Sequence, residues 1–265
     1  MIVDVVVDGG LVRAAVVDPP AQPSQAWFVA LGFAAWLDET ELRRFHRLAA
    51  IWRRRLVVVE TPGTGGPTRL TLTESRALLR GDFGPLADRL LAAASQASGP
   101  ISLTGALGYS MGASVAASVG VRAAAADRPL ESMVLVEPIA VRRWHAWDLV
   151  QANRAQERLN RDAGTPTAGT PPPWVRRFDQ YVLVNALRHG RISADLEAAP
   201  PMRLVIARGA ASPMCDRAGV DRVARRARAE GHRADVVEIP GSHTIWHQPD
   251  AVDTIAREVT HALAR

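Results

Sequence analysis

Short apolar runs alternate with longer helix-spaced segments along most of the chain, and this alternation limits the possible folds more than any other feature. Strands are predicted at 2–7, 11–17, 27–31, 56–59, 101–107, 132–136, 202–207 and 234–239. Helices are predicted at 38–52, 85–97, 111–126, 216–230 and 249–264. Alternation of this kind predicts an α/β fold with a mostly parallel sheet flanked by helices.

The alternation breaks after Pro138, and residues 139–199 contain no convincing buried strand. They hold an arginine-rich amphipathic stretch (141–161), a linker rich in Thr, Gly and Pro (164–173) and a second helix-like stretch (174–189). The pattern predicts one core made of residues 1–138 and 200–265, with residues 139–199 as an inserted subdomain.

The segment Gly108-Tyr109-Ser110-Met111-Gly112 matches the pattern G-x-S-x-G and lies between a predicted strand and a helix of small residues. A sharp strand-to-helix turn holds its serine in a strained conformation, and glycines two positions away on each side avoid clashes. The hydroxyl of Ser110 then projects from the carboxyl edge of the sheet, beside a helix N-terminus that favours negative charge. This context predicts that Ser110 is a nucleophile.

A serine nucleophile needs a base, and the loop after the last predicted strand supplies one in Gly241-Ser242-His243. A histidine at this point of the chain reaches the sheet edge where Ser110 is expected. We therefore predict His243 as the base, with His247 as its competitor nearer the final helix.

With these motifs the chain resembles the α/β-hydrolase family over nearly its whole length. The resemblance also includes Leu31-Gly32-Phe33, where the family often has His-Gly-x, and Glu60-Thr61-Pro62-Gly63-Thr64-Gly65, which is similar to the family's Asp-x-Pro-Gly-x-Gly loop. It implies an eight-stranded sheet with a helical cap, or lid, inserted after the sixth strand. It also implies an oxyanion hole made by the backbone N–H groups of Phe33 and Met111.

The acid of the expected triad has two candidates. Members of the family commonly carry it just after the seventh strand, where this chain has Ser212 and Pro213, and neither is a carboxylate. Asp216 follows a few residues later, where it would equally suit the N-cap of the next helix. Glu137, at the end of the sixth strand, matches the position used by haloalkane dehalogenase-like members, and we favour it over Asp216.

The predicted cap carries Trp144, Trp147 and Trp174, and Trp246 lies beside the predicted base. Indoles lining a lid favour an apolar acyl chain or an aromatic group, although they would equally anchor the lid to the core. Arginines crowd the same region, at positions 142, 143, 154, 158, 161, 176 and 177. They would suit an anionic or carrier-linked substrate, or simply form the wet face of the lid.

Composition excludes several other classes. The single cysteine, Cys215, excludes an internal disulfide framework and a multi-cysteine metal site. All 32 basic residues are arginine, so the pI of about 10.7 reflects missing lysines rather than a nucleic-acid surface. Neither a secretion signal nor a membrane-length apolar stretch is evident, and we expect a cytoplasmic protein.

The sequence thus predicts a serine hydrolase of small-molecule carboxylic esters or thioesters, working through an acyl-enzyme on Ser110 without metal or cofactor. Two alternatives remain at this stage. The same scaffold would also serve a carbon–carbon bond hydrolase. The unusual Leu31 and the empty acid position would also fit a degenerate, non-catalytic α/β-hydrolase that acts as a binding protein.

Overall fold

A computed structural model describes residues 1–8, 10–64, 68–163 and 177–264 of the chain. Its sheet has eight strands among these residues, in the order β1-β2-β4-β3-β5-β6-β7-β8. They are β1 (Ile2–Val7), β2 (Gly10–Val17), β3 (Ala26–Ala30), β4 (Arg55–Val59), β5 (Leu103–Tyr109), β6 (Ser132–Val136), β7 (Arg203–Gly209) and β8 (Arg233–Ile239). Strand β2 is antiparallel to β1 and β4, and the other neighbours are parallel. The predicted eight-stranded, mostly parallel sheet is confirmed.

Helices flank the sheet and connect its parallel strands. They are α1 (Glu39–Trp52), α2 (Leu72–Leu79), α3 (Gly84–Ser98), α4 (Met111–Ala125), α5 (Ala146–Asp162), α6 (Arg177–Leu187), α7 (Ile192–Ala198), α8 (Arg217–Ala229) and α9 (Pro249–Ala264). Helix α2 was not among the predicted elements. Its N-terminus is closed by a capping box in which Thr71 and Glu74 bind each other's backbone N–H groups.

The central strands are buried on both faces, and strand β3 shows how the two layers arise. Phe28 and Ala30 point to the face covered by α3, α4 and α8, whereas Trp27 and Val29 point to the face covered by α1 and α9. Successive side chains of a strand point to opposite faces, so a run that is apolar throughout serves both layers. The central strands are therefore covered by helices on both faces of the sheet.

In the described part of the chain, three helices (α5, α6 and α7) lie between β6 and β7, where the insertion was predicted. Helix α6 packs against α2, and α7 packs against α4 and α8 of the core. The last helix of the predicted range 139–199 thus contacts the core directly, and the boundary of the insertion stays a prediction. The predicted linker 164–173, together with Trp174 and Arg176, lies outside the described residues.

Candidate active site

The turn at Ser110 joins β5 to α4 and has the strained backbone that its motif predicts. Ser110 has φ 56° and ψ −115°, in a region that side-chain-bearing residues rarely adopt. A Cβ added at Gly108 would overlap the carbonyl of Gly112, and one at Gly112 would overlap the carbonyl of Ala30. The two glycines therefore let the turn close tightly and let α4 lie against the end of β3.

The imidazole of His243 lies next to the Ser110 hydroxyl. Ser110 Oγ is 2.9 Å from His243 Nε2, and only 4% of Ser110 and 7% of His243 is exposed. Tyr109 contacts His243 in two ways. Its hydroxyl donates to the His243 carbonyl at 3.0 Å, and its ring stacks on the imidazole with 5.6 Å between the ring centroids. Burial raises the pKa of Tyr109, so its hydroxyl remains a donor.

Glu137 lies on the other side of the imidazole and is fully buried. Its Oε2 is 2.8 Å from His243 Nδ1 and also accepts the hydroxyl of Ser212 at 2.6 Å. Its Oε1 accepts the backbone N–H of Gly209. A carboxylate at Nδ1 holds the proton there, so Nε2 presents its lone pair to Ser110.

Asp216 has another partner. Its Oδ2 accepts the N–H of Gly219 at 2.8 Å, which makes it the N-cap of α8. Of the two carboxylates predicted as alternatives, the structure brings Glu137 to His243 and places Asp216 at a helix end.

The loop after β3 lies against Ser110, as the expected oxyanion hole requires. A Cβ added at Gly32 would lie 2.9 Å from the Tyr109 ring and 3.5 Å from Ser110 Cβ. Phe33 is the next residue, and Ala34 after it has φ 56°. Met111 begins α4 directly after Ser110. The geometry thus places both expected donors on segments that adjoin the nucleophile.

The buried carboxylate of Glu60 binds the backbone of the loop after β3. Oε1 of Glu60 accepts the N–H of Leu37 at 2.7 Å, and only 3% of Glu60 is exposed. Burial raises the pKa of Glu60. Leu31, which stands where the family often has histidine, is buried in the core instead.

The tryptophans predicted to bind substrate have other neighbours in the structure. Trp144 is buried and donates to the Ile139 carbonyl at 2.8 Å. Trp246 is buried and donates to Glu41 at 2.9 Å. Trp147 is 63% exposed, with the Arg154 guanidinium 5.6 Å from the ring centroid. Two of these indoles therefore anchor the chain around the site, and the third lies at the surface.

The competing histidine, His247, has Glu41 and Tyr109 as neighbours. His247 Nδ1 is 3.9 Å from Glu41 Oε1, and its ring lies edge-on to Tyr109. Burial lowers the pKa of His247 to about 4, with a further lowering from Arg44. His247 is therefore neutral at physiological pH.

Sequence reasoning missed two side chains in this network, Ser212 and Gln156. Ser212 occupies the position where the α/β-hydrolase family commonly has its acid, and this position is a signal that the loop reaches the site. Gln156 belongs to α5 and carried no signal beyond its place in an amphipathic stretch. Its Oε1 accepts the backbone N–H of His243 at 3.0 Å.

The described residues contain no group of three or more His, Cys, Asp or Glu side chains that is suited to hold a metal ion. No helix in the same ranges is both long and apolar enough to cross a bilayer.

The chain matches no family model, and no curated protein matches it significantly. Solved structures do match it along its length. A thioesterase domain from the curacin biosynthetic pathway has a TM-score of 0.62 at 13% identity, covering 98% of each chain. N-formylmaleamic acid deformylase from Pseudomonas putida S16 has a TM-score of 0.65 at 16% identity, covering 97% of this chain and 100% of the other. A soluble variant of monoglyceride lipase from Saccharomyces cerevisiae has a TM-score of 0.65 at 14% identity, covering 98% and 93%. At such identities the likeness concerns architecture, and it shows that this chain has the α/β-hydrolase fold.

Proposed function

We propose that the protein is a serine hydrolase that cleaves a carboxylic ester or thioester through an acyl-enzyme on Ser110. The observation that carries the proposal is the unbroken hydrogen-bonded series from Ser110 through His243 to Glu137, at 2.9 and 2.8 Å. Chance contact does not explain the series, because its members come from three separate loops at one edge of the sheet.

The proposed reaction begins when Ser110 Oγ attacks the substrate carbonyl carbon. His243 Nε2 takes the serine proton, and Glu137 stabilises the imidazolium that forms. The backbone N–H groups of Phe33 and Met111 would hold the developing oxyanion, and one such donor is worth roughly 3–4 kcal/mol of barrier. His243 then returns the proton to the departing alcohol or thiol.

Deacylation repeats these steps with water as the nucleophile. His243 Nε2 takes a proton from water, and the hydroxide attacks the acyl carbon. Collapse of the second tetrahedral intermediate breaks the bond to Ser110 Oγ, which recovers its proton from His243. Deacylation yields the free acid and regenerates the serine. The two half-reactions therefore balance without a metal or a redox partner.

The preference for an ester or thioester rests on the structures that share the fold and on the burial of the site. A thioesterase domain and a monoglyceride lipase share the architecture. Ser110 and His243 are both nearly buried, which favours a substrate whose acyl part enters an enclosed site. We also propose that part of 139–199 covers the site as a lid.

Intact-protein mass after incubation with a fluorophosphonate tests the proposal. One adduct is expected on the wild type, and none on Ser110→Ala. Ser114→Ala is a matched control, because Ser114 is also buried on α4 but its hydroxyl has no hydrogen-bond partner among the described residues, and it should be labelled like the wild type. Labelling that persists in Ser110→Ala would contradict the proposal by showing that another residue is the nucleophile. A folded wild type without an adduct would contradict it and favour a binding protein.

A second measurement addresses the bond that is cleaved. The wild type should release p-nitrophenol from short p-nitrophenyl esters, and an initial burst equal to the enzyme concentration is expected for those esters whose deacylation is slower than acylation. Acyl-coenzyme A substrates followed with a thiol reagent separate thioesterase from esterase activity. The absence of both activities in a protein that forms the adduct would direct attention to carbon–carbon substrates.

A further inference from the structure

The inserted helix α5 reaches the loop that carries His243 through one buried amide. Gln156 lies on α5 and is only 4% exposed. Its Oε1 accepts the N–H of His243 at 3.0 Å, and its Nε2 donates to Ser242 Oγ at 2.7 Å. The amide thus binds two consecutive residues of the histidine loop, one through each end.

A second residue of the same helix face completes this contact. Asn160, one turn after Gln156, accepts from Gln156 Nε2 at 2.7 Å and from the hydroxyl of Thr244 at 2.9 Å. Residues four apart on a helix lie on one face, so α5 presents both amides to the loop 242–244. Burying an amide is costly unless both of its ends are paired, as both ends of Gln156 are.

The contact fixes His243 at a point that the rest of the site does not reach. Both ring nitrogens of His243 and its carbonyl are held by Ser110, Glu137 and Tyr109, all from the core. Among the described residues, its backbone N–H is held only by Gln156 of α5. A shift of α5 would therefore release the backbone of the histidine while leaving the core partners in place.

We propose that Gln156 is a positioning residue for His243, so that α5 must stay docked on the histidine loop while proton transfer occurs. The inference rests on the proposed function of Ser110 and His243. It assigns the insertion a role in aligning the base as well as in covering the site. Any opening that admits substrate must then spare α5 or restore its contact before the reaction.

The test compares labelling rates of substitutions of similar length on one helix. Gln156→Met removes both hydrogen bonds, whereas Gln151→Met makes the same change at an exposed position of α5. We expect the rate of fluorophosphonate labelling at Ser110 to fall roughly ten- to a hundredfold in Gln156→Met, because small misplacements of a base are costly. Gln151→Met should match the wild type.

Rescue by a conservative variant separates positioning from packing. Gln156→Glu keeps an acceptor for the His243 N–H and can accept the Ser242 hydroxyl, but it sets a carboxylate oxygen against the Asn160 acceptor, so it should recover part of the rate. Gln156→Asn keeps a buried amide but withdraws it by one methylene, and it should be as slow as the methionine variant. If Gln156→Met does not fold, the labelling rate of Gln156→Asn tests the inference in its place.

Hydrogen exchange of the segment 240–248, followed by mass spectrometry, is measured on the same variants and needs no catalysis. Exchange should become faster in Gln156→Met and stay unchanged in Gln151→Met. Wild-type labelling rates in Gln156→Met or Gln156→Asn overturn the inference and leave the proposed function intact. A wild type without any adduct at Ser110 overturns the proposed function and this inference together, whatever the exchange shows.

Discussion

The hydroxyl of Ser212 donates to Oε2 of Glu137 at 2.6 Å, and the same oxygen lies 2.8 Å from His243 Nδ1. Ser212 follows β7, at the point where the family commonly carries its acid. Two loops therefore converge on one side of the imidazole, and the carboxylate comes from the loop after β6. Ser212 in turn accepts the N–H of Cys215 at 3.1 Å, which fixes the direction of its hydroxyl.

This convergence predicts that the acid can be moved between the two loops. Glu137→Ala should slow fluorophosphonate labelling about a thousandfold or more, because the imidazole loses the partner that sets its tautomer. Adding Ser212→Asp should restore part of that rate by supplying a carboxylate from the neighbouring position. Labelling rates of the single and double variants are compared at equal folded fractions.

Ser212→Asp alone is the control for this exchange. It places a second carboxylate against buried Glu137, so we expect a lower unfolding free energy rather than faster labelling. A double variant no faster than Glu137→Ala would show that position 212 cannot serve the imidazole.

Asp216 should affect stability and leave catalysis unchanged. Asp216→Ala removes the cap of α8 and should lower the unfolding free energy by about 1 kcal/mol, measured by urea denaturation. Asp216→Asn retains a good capping side chain and should be nearly neutral. If Asp216→Asn strongly slowed labelling while Glu137→Gln did not, our assignment of the acid would be reversed.

His247 should contribute to acid sensitivity without acting as the base. The pKa of His247 is lowered to about 4, whereas in the unfolded chain it is near its usual 6.5. The unfolded state therefore binds more protons between these values, so the stability contributed by the neutral ring is complete above pH 6.5 and is lost as the pH falls towards 4. Removing the ring should reduce this loss.

We expect His247→Gln to lose less stability than the wild type between pH 6.5 and 4.5. The side chain of His247 is 35% exposed, and solvent screening should limit the difference to about 1 kcal/mol. Denaturant midpoints across this pH range measure it. His247→Gln should keep fluorophosphonate labelling, whereas His243→Ala should abolish it, and the opposite result would exchange their roles.

The fold could be predicted from the sequence because its strands are short, apolar and regularly spaced. Strand β6 was predicted with the bounds that the structure has, 132–136. Strand β5 was predicted at 101–107, whereas in the structure it spans Leu103–Tyr109. It continues through Gly108 up to the turn at Ser110. Helix α2 was overlooked although Thr71 and Glu74 have the spacing of a capping box.

The site could be predicted only where local sequence carries the geometry. The strained turn requires Gly108 and Gly112 around Ser110, so the motif itself points to the residue. The contact of Glu137 with His243 joins positions 106 residues apart and depends on β6 and β8 both flanking β7. A single sequence contains no signal for a contact between such widely separated residues. The choice between Glu137 and Asp216 therefore needed the structure.

Glu60 should support the loop after β3, which carries Phe33, by accepting the Leu37 N–H through Oε1. The carboxyl group can do this whether it is protonated or ionised. Glu60→Gln keeps an acceptor for the Leu37 N–H and removes a buried charge. Because burial raises the pKa of Glu60, the stability that the protonated form confers is complete at low pH and is lost as the pH rises through that pKa. Glu60→Gln should therefore be more stable than the wild type at pH 8 and equal to it near pH 4.

Glu60→Ala should behave differently, because it leaves the Leu37 N–H without its partner. We expect a loss of about 1–3 kcal/mol in unfolding free energy. Labelling should also slow, since the segment that carries Phe33 loses its support behind the nucleophile. Urea denaturation and labelling rates of the two variants separate these effects. Equal labelling by Glu60→Ala and Glu60→Gln would mean that the Leu37 hydrogen bond does not position the oxyanion loop.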